Sequence, residues 1–427
     1  MASLPIVRLF AGVSAVALPW MAVVSAAGQT GAAPATAPAA GTQGGIHFPH
    51  IARQPKPAKH PREVMSELPR YEKDRQGSGS IDLIHDDVSR LDLRDRLDDL
   101  LYASFDDATK WPFPDRLPSE FDTRKIMESA KNPGLGVRKL HQKGITGNGV
   151  GIAIVDSPLL VEHIEYKEQL RFYEEIPKVE PGKKGAAKTL GPEGIDVHMH
   201  GPAVASIAVG KTVGVAPEAD LYYIAVRPVA ADGKSRDFTW YAQAVERILA
   251  VNENLPKDRR IRVISLSIGW DPRDAGFDAM QKAAQRAKQA GMLVSCSGNV
   301  NPVHGFKFNG LDRDPLDDPD KLDSCRPGLW WSFVLKDEKA FKSHQDDLVG
   351  RLMVPMDSRA TASPCHAKEY VFYRDGAWSW SVPWIAGLYA LAVQAKPDVT
   401  PDEFWNRARE TGQPLHVEVG TERIQMG

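Results

Sequence analysis

The sequence predicts an α/β protein with a mostly parallel central sheet, and three observations carry that prediction. Four short apolar runs, 149–155 (GVGIAIV), 221–226 (LYYIAV), 263–267 (VISLS) and 292–297 (MLVSCS), lack the alternation of a half-exposed strand. Such runs are expected of strands covered on both faces. Helical patterns lie between them: 241–251 sets Ala244, Val245, Ile248 and Leu249 on one side, and 277–290 does the same with Phe277, Met280, Ala284 and Ala287 before stopping at Gly291. Third, strands alternating with helices require right-handed crossovers into a parallel sheet, whose chemistry gathers at the carboxyl ends of its strands.

The segments ahead of the sheet are of different composition. Arg8 is the only charge before an apolar stretch at 9–24, which is followed by Ser25, Ala26 and Ala27; residues 1–27 therefore read as an export signal peptide. Gly12 and Pro19 interrupt the stretch, and it is short for a membrane span. Residues 28–59 are dominated by Ala, Pro, Gly and Thr, with too little apolar bulk to offset chain entropy, and read as a low-complexity linker. Residues 60–120 are charged and Asp-rich, and one amphipathic helix is expected at 91–102, where Leu93, Leu97, Leu100 and Leu101 share a face. This segment is either a removable pro-region or a packed extension. Residues 121–427 form the α/β domain. No later run is long and apolar enough to cross a bilayer, so the mature protein is expected to be soluble, periplasmic or extracellular, with no stable membrane anchor.

Composition narrows the function classes. Across 427 residues, 53 Lys+Arg oppose 55 Asp+Glu for a net charge of −2, which argues against nucleic acid as a partner. Three cysteines exclude a disulfide-stapled scaffold and a four-thiolate zinc site. Cys325 and Cys365 are candidates to pair after export, and Cys296 reads as a buried strand thiol.

Four polar groups stand at the expected strand and helix ends. The first run finishes at Asp156-Ser157-Pro158. His200-Gly201-Pro202 opens a helix with Val204, Ala205, Ile207 and Ala208 inside, and Pro202 suits a first turn because its missing N–H costs nothing there. Ser297-Gly298-Asn299 follows the fourth run and offers an amide donor. Ser379 opens a helix continued by Ile385, Leu388 and Leu391, at the positive end of its dipole. Taken singly, Asp156 reads as a turn residue, His200 as a surface cap and Ser379 as an N-cap.

Taken in order, the segments resemble the subtilisin-like serine peptidases (subtilases, peptidase S8) over roughly residues 144–397. Residues 147–156 (GNGVGIAIVD) are similar to the family's first strand with its catalytic aspartate, 200–206 (HGPAVAS) to its histidine motif, and 214–222 (GVAPEADLY) to the segment that follows. Residues 263–269 (VISLSIG) resemble the strand lining the substrate cleft, Gly298-Asn299 the oxyanion motif, and Ser379 with 383–387 (PWIAG) the serine motif. The resemblance implies a subtilisin-like three-layer fold and a serine endopeptidase that cleaves polypeptide through an acyl-enzyme. Ser379 would be the nucleophile, His200 the base, Asp156 the group holding the imidazole, and Asn299 with the Ser379 backbone N–H the oxyanion donors. Gly269, Trp270, Gly298 and Trp378 are the substrate-binding candidates.

The sequence departs from the pattern at three places. Ala377-Trp378 replaces the usual Gly-Thr, Ala203 replaces a second histidine, and Ser157-Pro158 replaces Ser/Thr-Gly. The bulk of Trp378 leaves open a catalytically inactive, peptide-binding subtilase fold. Trp380 and Trp384, four apart on one helix, read as packing. A metal hydrolase built on His198 and His200 lacks an evident third ligand, and adjacent Cys365 and His366 cannot easily face each other as nucleophile and base. No cofactor is required, and a structural Ca²⁺ ion is left open without a clear motif for it. The acidic run 312–323 (DRDPLDDPDKLD) lacks the Gly and closing Glu of a known Ca²⁺ loop and is expected to be a solvated loop.

Overall fold

The protein is seen in a computed structural model that describes residues 42–43, 46–72, 79–176, 196–226, 236–298, 300–336, 338–419 and 421–426. The expected export signal, the linker up to residue 41, and Asn299 lie outside the described residues.

Ahead of the body lie β1 (His50–Ile51), β2 (Ile81–Asp82), the short helix α1 (Leu97–Leu100), β3 (Ala103–Asp106) and α2 (Thr123–Ala130). The helix expected at 91–102 is thus a single turn. Leu93 and Leu100 are buried as their spacing requires. Polar groups nearby bond elsewhere: Arg94 folds back onto Asp92, and Arg96 reaches Asp99 and the carbonyls of Leu68 and Pro69. Side-chain bonds of this kind compete with a helical ladder.

The body alternates as expected through β4 (Gly151–Asp156), β5 (Leu170–Ile176), α3 (His200–Val209), β6 (Asp220–Val226), α4 (Thr239–Glu253), β7 (Ile261–Leu266), α5 (Phe277–Gln289) and β8 (Leu293–Cys296). All pairings in the central sheet are parallel, in the order β8-β7-β4-β6-β5-β1. Each of the four apolar runs supplies one of its strands. Successive residues feed opposite cores, which is why the runs do not alternate. Ile152, Ile154, Leu221 and Tyr223 join one core with α3, while Ala153, Val155, Tyr222 and Ile224 join the other with α4 and α5. The result is a three-layer α/β fold.

Beyond β8 come β9 (Phe308–Arg313), β10 (Cys325–Pro327) and β11 (Leu352–Pro355), which form a small sheet in the order β10-β9-β11. Then β12 (Arg359–Ala362) and β13 (Tyr370–Tyr373) lead to the long helix α6 (Ala377–Ala395). β12 and β13 join two N-terminal strands in a separate four-stranded sheet, β12-β13-β3-β2. Beneath it a third core gathers Leu83, Val88, Leu93 and Phe105 with Val213, Ala360 and Phe372 of the body. Residues 60–120 are therefore packed against the α/β domain over a shared apolar core.

Three sequence expectations are corrected here. The stretch expected to be linker through residue 59 is ordered in its last part, where His50–Ile51 pairs with Phe172–Tyr173 at the sheet edge and Arg53 bonds Glu175, because a parallel edge strand offers its unpaired backbone groups a partner. The acidic run is not uniformly solvated, because Asp312 is fully buried on β9, where it accepts hydrogen bonds from Arg374 and Arg326. A carboxylate carried inward by a buried strand must be paired. Cys325 and Cys365 are free thiols. Cys325 opens β10 opposite Arg313, whereas Cys365 sits in the turn between β12 and β13, so the two belong to different sheets.

Candidate active site

Asp156 ends β4 on the parity of Ile152 and Ile154, so its carboxylate emerges on the face covered by α3. Its Oδ1 accepts from the Ser157 N–H at 2.7 Å and from the Ser157 hydroxyl at 3.1 Å. His200 is the first residue of α3, and its Nδ1 lies 2.7 Å from the same oxygen. That bond assigns the ring proton to Nδ1 and leaves Nε2 as an acceptor. Gly201 makes the approach sterically feasible: a Cβ there would stand 2.5 Å from the Ser157 carbonyl oxygen and 2.8 Å from that of Pro158. Burial disfavours the imidazolium, yet the charge and hydrogen bond of Asp156 outweigh it, and the pKa of His200 is raised above its ordinary value.

Ser379 is the third residue of α6, three positions past the cap residue Gly376, so its N–H belongs to the unsatisfied first turn. The helix begins under strain. Ala377 holds φ at 47°, in the left-handed region, which costs an L-residue roughly 1–2 kcal/mol. We expect Ala377→Gly to raise the denaturant midpoint by an amount equivalent to about 0.5–1 kcal/mol, part of the relieved strain being offset by the freer unfolded chain. A lowered midpoint would mean that the methyl packs usefully and the strain is small.

Four residues on, Pro383 lacks the N–H that would bond the Ser379 carbonyl in a regular helix. The Ser267 hydroxyl, just past β7, donates to that carbonyl at 2.9 Å instead. Ser379 Oγ lies 3.5 Å from the Ser267 carbonyl oxygen. At that length the contact is weak. No hydrogen bond joins Ser379 to His200 in this conformation, although the next residue, Trp380, meets the His200 ring edge-on at 5.3 Å between centroids. Asp156 and His200 are thus in direct contact, with Ser379 at the same rim and its hydroxyl turned toward Ser267.

The remaining candidates separate. Gly269 packs so close to Ser297 that a Cβ would stand 2.5 Å from its carbonyl oxygen, and Gly298 follows with φ at 143°. Trp270 is buried in the α4/α5 core, against Phe238, with its indole N–H on Gln281. Any influence of Trp270 on substrate would therefore pass through its backbone or its packing. Trp378 is half-buried and points to the small sheet, where its indole N–H donates to Asn309 at 3.1 Å and its ring lies 6.0 Å from Trp331. Trp380 and Trp384 are core residues. Burial pushes the Cys365 thiol up, away from reactivity. Among the described residues no group of three or more His, Cys, Asp or Glu is arranged to hold a metal ion.

Sequence reading missed Ser267. Its place at the end of the 263–267 run was visible, but its role depends on the carbonyl that Pro383 leaves unpaired, and that pairing exists only between β7 and α6.

Residues 147–329 match the family model described as the subtilase family, Peptidase_S8. Asp156 and His200 fall inside the match, and Ser379 lies beyond it. The chain is 25% identical over 276 residues to the subtilisin-like protease PopC of Myxococcus xanthus, covering 62% of this chain and 56% of that protein. It is 25% identical over 280 residues to the serine protease AprX of Bacillus subtilis, covering 61% and 60% respectively. The chain thus spans little more than half the length of these curated relatives. A cold-adapted subtilisin-like serine proteinase of known structure aligns with 61% of the chain and 81% of its own length, at 18% identity and a TM-score of 0.37.

Proposed function

Because residues 147–329 carry a subtilase-family segment, we propose that this protein is an exported serine endopeptidase that hydrolyses peptide bonds with Asp156, His200 and Ser379. The observation that carries the reading is the 2.7 Å bond between Asp156 and His200 at the rim where α6 presents Ser379. Attack requires Ser379 Oγ to leave the Ser267 carbonyl and face Nε2. A staggered rotation about χ1 moves a hydroxyl in this way, and catalytic hydrogen bonds commonly tighten only when substrate is bound. His200 then takes the proton, Asp156 steadies the imidazolium, and the acyl-enzyme forms on Ser379. The Ser379 N–H, at the positive end of α6, and Asn299 would receive the oxyanion. Export rests on residues 1–27; among the described residues no helix is long and apolar enough to cross a membrane.

One observation favours the second reading, a silent fold that binds peptides: the hydroxyl of Ser379 faces Ser267 and not His200. A fluorophosphonate probe separates the two. Labelling of the full chain that vanishes in Ser379→Ala supports the peptidase, and absence of labelling favours the binding protein.

The pH dependence follows from His200. As a base it must be neutral, so its raised pKa places the acid limb of kcat/KM above about 6.5. In Asp156→Asn the burial that opposes charge is no longer outweighed, and the limb should move down while the rate falls. The same shift stabilises the fold fully below the ordinary histidine pKa, and that stability is lost as pH rises through the folded value. Rates from pH 5 to 9 decide it: a limb below about 6.5 in the unsubstituted protein would mean that Asp156 does not stabilise the imidazolium.

A further inference from the structure

The N-terminal extension grips the turn that leads into Ser379. Residues 374–376 connect β13 to α6, and each is held. The Arg374 N–H donates to the Ser104 hydroxyl at 2.9 Å and its Nε to the Leu101 carbonyl at 2.8 Å. The Ser80 hydroxyl donates to the Asp375 carboxylate at 2.6 Å. The Gly376 N–H donates to Asp357 at 3.0 Å. Ser80, Leu101 and Ser104 all belong to the extension. β3 also pairs with β13, placing Phe105 opposite Phe372 and Asp106 opposite Val371.

Immediately after this turn comes Ala377, the strained residue. Backbone strain of this kind persists only where the surroundings over-determine it. The anchors on 374–376 are the surroundings that do so. They set the direction in which α6 starts, and hence where Ser379 stands two residues later. Removing the extension would in addition uncover Phe372, Ala360 and Val213, apolar surface whose exposure opposes release.

We propose that residues 80–106 are a permanent positioning part of the active site, with Ser80 acting through Asp375 to hold the turn that presents Ser379. The inference rests on the serine-peptidase reading for the role of Ser379, and it assigns the extension the opposite part from a pro-region that must leave. Ser80 touches no reacting atom; it is a positioning residue.

The test compares full-length protein with Ser80→Ala and Ser80→Thr. In Ser80→Ala, kcat and the rate of fluorophosphonate labelling should fall about 10- to 100-fold, the scale of a small misplacement of a reacting group. KM and the urea midpoint should stay near their original values, Ser80→Thr should restore most of the rate, and backbone amides of 376–379 should exchange hydrogen faster in the Ala variant. Unchanged rate and exchange in Ser80→Ala would overturn the proposal. So would active enzyme whose N-terminal residue, by mass spectrometry, lies beyond 106. If the unsubstituted chain is not labelled at all, the peptidase reading fails, and the exchange of 376–379 still decides this one: faster supports it, unchanged overturns it.

Discussion

Ser379→Ala is expected to lower kcat on a peptide substrate by about 10⁶, a size carried over from subtilisin, leaving a residual acceleration of about 10³–10⁴ over water from binding and oxyanion donors. The argument is chemical. An unassisted hydroxyl is a weak nucleophile, and the imidazole bonded to Asp156 is the base that would activate it. His200→Ala should cost about as much, and the double variant little more than either, because groups that work as a unit are not additive. Substrate affinity, read as KM, should change far less than kcat. Activity in Ser379→Ala above a tenth of the original would remove Ser379 from the mechanism, and the peptidase proposal with it.

The largest stability effect is expected at the buried pair of Arg374 and Asp312. Both side chains are fully buried, joined by two hydrogen bonds, and Arg326 adds a third to Asp312 at 2.7 Å. Removing one member leaves a buried charge short of its partner, so Arg374→Leu should cost about 3–5 kcal/mol by urea denaturation. The double variant Arg374→Leu with Asp312→Leu should cost less than the single, since two apolar groups of similar volume need no pairing. Arg374 also anchors the turn before α6, so kcat should drop in the single variant even where the protein remains folded. A loss below about 1 kcal/mol would mean that water or Arg326 already neutralises Asp312.

What the sequence and the structure each decide can be traced residue by residue. The parallel sheet was legible because strands buried on both faces need unbroken apolar runs, and the parity of Ile152, Ile154 and Asp156 follows from the same geometry. Asp156 and His200 were legible as well, since each sits at the end of an element whose start or finish is marked by local chemistry. The helix at 91–102 was misjudged because its leucine spacing is right while its arginines and aspartates find partners outside a helix. Asp312 was misjudged for a related reason: composition marks the run 312–323 as acidic, and only β9 shows that its first residue points inward toward Arg374, 62 positions away.

By itself, then, the sequence determined the alternation of strands and helices, the identity of the groups at their ends and the order of an Asp, His, Ser arrangement, all of which depend on neighbours within a few residues. Tertiary structure alone decided that Ser267 takes the carbonyl Pro383 leaves unpaired, that Trp378 is tied to Asn309, and that the N-terminal extension holds the turn before α6. Those contacts join residues up to 295 positions apart. They arise from how layers pack, and no periodicity or local propensity carries that information.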